Sequence, residues 1–280
     1  MSLVSPRIAF CDLALTIAVL LFLVMTDSAS ASPGKAKASA TRSVGALVAV
    51  LEKGELREQQ EAMMALGNQP GAEADRALLA QFDRYASGKL PVGLWLEFFD
   101  AVAKRKNPKL QARLTEHQEK VSSSRDPLTQ YRECLEGGNA ESGREIFTKK
   151  VEAGCIRCHR VNGEGGEIGP DLSAIRQVSD RLFILESIVD PNAVIAAGFQ
   201  NVMLTFKNGD TAWGIANFES DDQIILTSPV DGKKHTYVTA DIVDRTPLPS
   251  AMPPGFGLIL GKRAIRDLIE FLATNKASAD

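Results

Sequence analysis

Two cysteines three positions apart with a histidine directly after them, Cys155-Ile156-Arg157-Cys158-His159, set the tightest limit on what this 280-residue chain can build. On a helical turn both thiols project to the same side, and the next residue brings an imidazole beside them. Three chemistries use such thiols without a prosthetic group. A redox-active C-x-x-C is expected at a helix start within a β-α-β pattern, and no such pattern surrounds Cys155. A zinc site would need a fourth ligand from Cys134 or His235, and three ligands so tightly bunched are awkward for a tetrahedron. A disulfide between Cys155 and Cys158 leaves His159 unexplained.

The N-terminus supplies the context. A lone basic residue, Arg7, precedes an apolar run from Leu13 to Met25 and then the small residues Ser28-Ala29-Ser30-Ala31. This is the pattern of a secretory signal peptide over residues 1–31, with cleavage before Ser32. The run is shorter than the roughly 20 residues of a bilayer-spanning helix, so membrane association is expected only if the segment is uncleaved. Cys11, ahead of the run and preceded by Phe10, does not resemble an acylation site and leaves with the signal. An exported C-x-x-C-H points to a haem c. Its two vinyl groups can take up the thiols of Cys155 and Cys158 as thioethers, with His159 as an iron ligand. Covalent attachment prevents loss of the cofactor outside the cell and needs no reducing compartment.

Three cysteines remain after the signal, Cys134, Cys155 and Cys158, too few for a disulfide scaffold, so stability must come from apolar cores. A composition of 44% hydrophobic and 24% charged residues is that of ordinary globular domains, and the length suits about two of them. A net charge of -3 with a pI near 5.8 argues against nucleic acid as a partner. Cys134, unpaired, reads either as a buried thiol or as the site of a disulfide to a partner.

The organisation follows from periodicity. Residues 32–43 are small, polar and basic and read as a disordered leader. Val44, Leu47, Val48, Leu51, then Leu78, Leu79, Phe82, Tyr85, then Trp95, Phe98, Phe99, Val102 fall on helical stripes. Breaks at Asn68-Gln69-Pro70-Gly71, at Ser87-Gly88 with Pro91, and at Asn107-Pro108 divide them. The region 44–121 is therefore a series of antiparallel helices, either a degraded HEAT-like repeat or a plain bundle. Residues 122–135, opening on Ser122-Ser123-Ser124-Arg125-Asp126-Pro127, read as a linker. From Phe199 the period changes to that of strands, at Asn201–Lys207, Ala212–Glu219, Gln223–Ser228, His235–Thr239 and near Ile242. Asn208-Gly209-Asp210 and Asp231-Gly232-Lys233 mark hairpin turns, so 199–247 is an antiparallel insert that either shields the cofactor edge, docks a partner, or only elaborates a loop. The fold class expected is mainly α, an N-terminal helical region followed by a second helical domain, 136–275, that carries this sheet.

Residues Glu136 to Ala273 resemble the haem-binding cytochrome c domain found in exported proteins of planctomycetes and verrucomicrobia. The resemblance rests on Gly143-Arg144-Glu145-Ile146-Phe147, Cys155 to His159, Gly165-Gly166-Glu167-Ile168-Gly169-Pro170-Asp171-Leu172, Ile188-Val189-Asp190-Pro191-Asn192 and Met252-Pro253-Pro254-Gly255. It implies a class I-like cytochrome c fold in which a helix near Glu141–Lys150 crosses a terminal one over Arg263–Ala273, with Gly143 allowing close approach. Ile265, Leu268, Ile269 and Leu272 are the apolar stripe of the terminal helix. It also implies that Pro170 accepts the free N–H of the proximal imidazole, a bond that orients the ligand. The sixth iron ligand is expected to be Met252, in a proline-rich loop just before the terminal helix. Its rivals are Met203, which alternates as in a strand, His235 after a turn, and His117, which reads as a surface residue.

The function expected is electron transfer without substrate turnover, by an exported, periplasmic protein exchanging electrons with a dehydrogenase and another redox carrier. The alternative is a haem-based sensor or peroxidase whose sixth iron position is open or displaceable. No catalytic triad or phosphate-binding glycine loop is present.

Overall fold

The computed structural model describes residues 42–276; the expected signal peptide, Cys11 and nearly all of the leader lie outside them. Five helices come first: α1 Val44–Lys53, α2 Leu56–Asn68, α3 Ala72–Ala86, α4 Trp95–Ala103 and α5 Pro108–Ser122. Each break lies where glycine or proline demands it. The turn into α3 uses Gly71 at φ 91°, and α5 begins with proline at a position that needs no amide donor, under an Asn107 side chain that accepts from Lys109 and Leu110 N–H. A further break falls at Gly54–Glu55, where the Gly54 N–H closes α1 on the Val50 carbonyl. The stripes close on one another around Leu47, Met63, Leu78, Phe98 and Leu110, all at most 2% exposed. His117, expected on the surface, is instead half-buried and stacked on Phe99, ring centroids 4.0 Å apart. The aromatic ring gives the imidazole an apolar partner that its charged sequence neighbours concealed.

The stretch expected to be a linker is only partly one. Residues 122–127 are largely exposed, but Thr129–Cys134 forms a 3-10 turn that buries Leu128, Tyr131 and Cys134 in the core of the following domain. That core is built by α6 Ala140–Lys149, α7 Cys155–Cys158, the short antiparallel pair β1 Arg160–Val161 and β2 Glu164–Gly165, then α8 Ile175–Val178, α9 Arg181–Val189 and α10 Phe256–Thr274. The helix α10 starts earlier than Arg263. A first turn, Phe256–Leu260, runs into Gly261 at φ 73°, where the axis breaks before the stripe of Ile265, Leu268, Ile269 and Leu272 enters the core. At the α6–α10 crossing a Cβ on Gly143 would overlap the Asp267 carbonyl, and one on Gly138 the Arg266 carbonyl. Asp267 closes the crossing by accepting the Asn139 N–H at 2.7 Å, and Arg181 of α9 makes a two-pronged bond to Glu270 at 2.8 and 3.0 Å.

Between α9 and α10 lie five strands: β3 Gln200–Phe206, β4 Thr211–Glu219, β5 Gln223–Thr227, β6 Lys234–Val238 and β7 Ile242–Pro247. They pair antiparallel in the order β6-β5-β4-β3-β7. The two edge strands are consecutive in sequence, joined by the 3-10 turn Thr239–Asp241. A flat sheet would separate its edges by about 19 Å, four spacings of about 4.8 Å, and a single 3-10 turn advances only about 6 Å. The sheet is therefore curled, with bulges between Ala216 and Phe218 in β4 and between Thr205 and Phe206 in β3, over a small core of Val202, Leu204, Ala216, Ile224 and Leu226. Among the described residues no helix is long and apolar enough to cross a membrane.

The two helical regions are joined by charge. Glu97 of α4, 1% exposed, receives both Arg266 terminal nitrogens at 2.9 Å and Arg263 Nη1 at 2.8 Å, while Arg263 also pairs with Asp100. Glu97→Ala would strand a guanidinium that is 6% exposed, at an expected cost of about 3–5 kcal/mol, measurable by denaturant unfolding. At the crossing, Gly143→Ala is expected to destabilise by about 2 kcal/mol, because overlap with backbone outweighs the helix-propensity gain of about 1 kcal/mol. Gly45→Ala, in α1 with nothing within 4 Å, is expected to be neutral or stabilising in the same assay.

Candidate haem site

The C-x-x-C-H segment is a single helical turn with an abrupt exit. Gly154 enters it at φ 57°, Cys155 to Cys158 form α7, and His159 leaves in extended backbone at φ -107°, ψ 144°. Both cysteines are free and half-buried, one turn apart, and Cys155 and Ile156 pack on the helical core. Burial pushes the Cys155 thiol up to about 11 and raises that of Cys158. This is the reverse of the lowered thiol that a dithiol redox catalyst requires. Among the described residues no group of three or more histidine, cysteine or acidic side chains is arranged to hold a metal ion unaided.

The loop after α7 lies backbone on backbone across it. Gly166 N–H donates to the Ile156 carbonyl at 2.9 Å, Gly169 N–H to Cys158 at 2.8 Å, and Leu172 N–H to Arg160 at 2.8 Å. Glycine is required because the approach is too close for a side chain. Gly165 sits at φ 122° against the His159 carbonyl, and a Cβ on Gly166 would overlap the Arg157 carbonyl. Gly169 is the floor under the imidazole; a Cβ there would come within 2.5 Å of Cε1 and 2.8 Å of Nδ1. Next to it the Pro170 carbonyl stands 2.9 Å from His159 Nδ1. A carbonyl only accepts, so Nδ1 carries the proton and Nε2 keeps its lone pair. Burial lowers the imidazole's pKa, with the Pro170 bond opposing, which favours the neutral, ligating form.

Among the other candidates, Met252 is half-buried in the loop between β7 and α10, and among the described residues it is not part of any of the three apolar cores. Met203 lies half-buried in β3 opposite Trp213, and His235 is exposed on β6. His117 is taken up by the aromatic cluster of the N-terminal helices. Cys134 is fully buried, its thiol pushed to about 12, and so is closed to a partner's thiol. The insert touches the site: Gly232, in the β5–β6 hairpin, lies against Ile168, and Lys234 is 3.7 Å from Glu167, which also pairs with Arg160.

The donor set fits a haem c. Two free thiols on one turn match two thioether positions, and the adjacent imidazole offers an unprotonated nitrogen held at a fixed angle by its other one. A family model described as Cytochrome c matches residues 140–222, which supports a cytochrome c superfamily domain in this part of the chain. The domain suggests a haem-binding protein of electron transfer, with haem c and its iron as the cofactor. No curated protein matches the chain.

The roles of Gly165, Gly166 and Gly169 were missed in reading the sequence for ligands, although three glycines within five residues after the motif are a visible signal of backbone packing. Gly169→Ala is expected to displace the imidazole and to reduce covalently attached haem per chain at least several-fold. The check is the pyridine haemochrome spectrum of purified protein, and the conservative control is Gly45→Ala in α1, where nothing lies within 4 Å and the backbone is helical.

Proposed function

We propose that this protein is an exported c-type cytochrome of the planctomycete and verrucomicrobial type. It carries one haem c through Cys155 and Cys158, ligated by His159 and Met252, and passes electrons between a periplasmic dehydrogenase and another redox carrier. The observation that carries this reading is the His159 Nδ1 to Pro170 carbonyl bond of 2.9 Å beside two free thiols on one turn. A histidine held by that bond has its remaining nitrogen aimed and made more basic, which is what an axial ligand needs and what a buried structural histidine does not.

When bound, the haem supplies a one-electron iron couple. The chain's own residues do the rest. Cys155 and Cys158 anchor it against departure. The Gly165–Leu172 loop, tied by two backbone bonds to α7 and by a third to Arg160, holds His159 rigidly, which keeps reorganisation on electron transfer small. A thioether from Met252 favours the ferrous state and raises the potential, as suits a carrier. The β insert touches the same loop at Ile168 and Glu167. The helical region, in this reading a HEAT-like platform, is fixed to α10 by Glu97 and leaves its outer faces for a partner.

Optical spectra of protein matured with a haem-attachment system test the reading. Wild type is expected to show the weak long-wavelength ferric band of methionine ligation, absent in Met252→Ala, and Cys155→Ser with Cys158→Ser is expected to abolish covalent haem. A high-spin ferric spectrum, or carbon monoxide binding by ferrous wild type, would instead indicate a sensor or peroxidase with an open sixth position. A chain that takes up no covalent haem would overturn both.

A further inference from the structure

The segment between β7 and α10 is held at three consecutive residues by two asparagines from other elements. Asn192, just beyond α9, accepts the Ser250 N–H on its side-chain oxygen at 2.8 Å. Asn201, within β3, accepts the Leu248 N–H on its backbone carbonyl at 2.8 Å and donates its Nδ2 to the Pro249 carbonyl at 2.9 Å. Ser250 hands the constraint on, its hydroxyl accepting the Met252 N–H at 3.2 Å. Pro249 on one side and Pro253-Pro254 on the other fix φ at their positions, so the backbone of Met252 is left little freedom.

Asparagine at 201 is a poor choice for the strand itself. Asparagine is disfavoured in a strand. This one is 8% exposed, and its Oδ1 is buried without a partner, a state that costs free energy. Valine at 201 would remove both penalties. What a hydrocarbon cannot do is reach the Pro249 carbonyl. A polar group kept at a cost, whose one side-chain bond is to the loop three residues before Met252, fixes a position.

We propose that Asn192 and Asn201 are positioning residues that set Met252 for iron ligation. The proposal rests on the reading of Met252 as the sixth ligand. Exogenous imidazole competes with a methionine for ferric iron, so its apparent affinity reports how firmly the methionine is held. In the full-length holoprotein Asn201→Val is expected to raise imidazole affinity about fivefold, the equivalent of one lost net hydrogen bond. The same variant should leave the denaturation midpoint unchanged or higher. Asn192→Ala, at an exposed position, should raise the affinity about twofold, whereas Asn192→Asp, which keeps the acceptor oxygen, should return it to the wild-type value. Met252→Ala is the control. If it weakens competition strongly while Asn201→Val and Asn192→Ala bind imidazole as wild type does, the positioning role is overturned and the ligand reading stands. If Asn201→Val lowers the midpoint and leaves imidazole affinity alone, Asn201 is structural and the proposal fails. If Met252→Ala itself changes neither the ferric spectrum nor imidazole affinity, the ligand reading fails and the proposal with it.

Discussion

Backbone contact between α6 and α10 is the constraint from which the rest of the second helical domain is laid out. Two glycines, Gly143 within α6 and Gly138 just before it, let this backbone meet the α10 carbonyls, and nothing larger than hydrogen fits there. With the axes this close, Phe147 and Phe271 come into ring contact at 5.8 Å, and the stripe from Ile265 to Leu272 is carried far enough inward to receive α9. The α7 turn hangs from the end of α6 by a five-residue connection, through Ala153, which is buried in the same core. The position of the two thiols is thus inherited from a crossing made without side chains.

A second constraint of the opposite chemical kind ties the N-terminal helices to that frame. A carboxylate and two guanidiniums in a largely dry interface give little net stability, because desolvation cancels most of their attraction. What they give is registry: Glu97 receives three directed bonds, and a sliding of α4 along α10 would break all of them. The N-terminal helical region and the second helical domain keep separate apolar cores and share this polar seam.

How much of this was legible in the sequence depended on whether a residue's role was local. The C-x-x-C-H turn, the stripes of α1, α3, α4 and α10 and the five strands were readable because period and turn chemistry act over a few positions. The strand ends fall within one or two residues of expectation except at β7, which continues to Pro247 as an exposed edge with no alternation to mark it. The Gly143 approach was readable through the family resemblance, which supplies the crossing helix. The roles of Glu97 and Asn201 were not, since each depends on partners more than 40 residues away and looks like an ordinary surface residue in a list of letters. His117 misled for the same reason. Its charged neighbours along the chain belong to the outer face of α5, while the ring that receives it comes from α4.

The curled sheet inserted between α9 and α10 separates the segment that holds His159 from the loop bearing Met252 by a long stretch of chain. Everything that holds His159, from Gly154 to Leu172, is local, made of short-range backbone bonds and glycine contacts. The loop bearing Met252 is fixed only after β3 has formed and β7 has returned to it across the whole meander. Contacts that close short loops form before those that close long ones. The segment that holds His159 can therefore order on a polypeptide whose sheet is still unfolded, whereas the loop bearing Met252 waits for the whole meander to close.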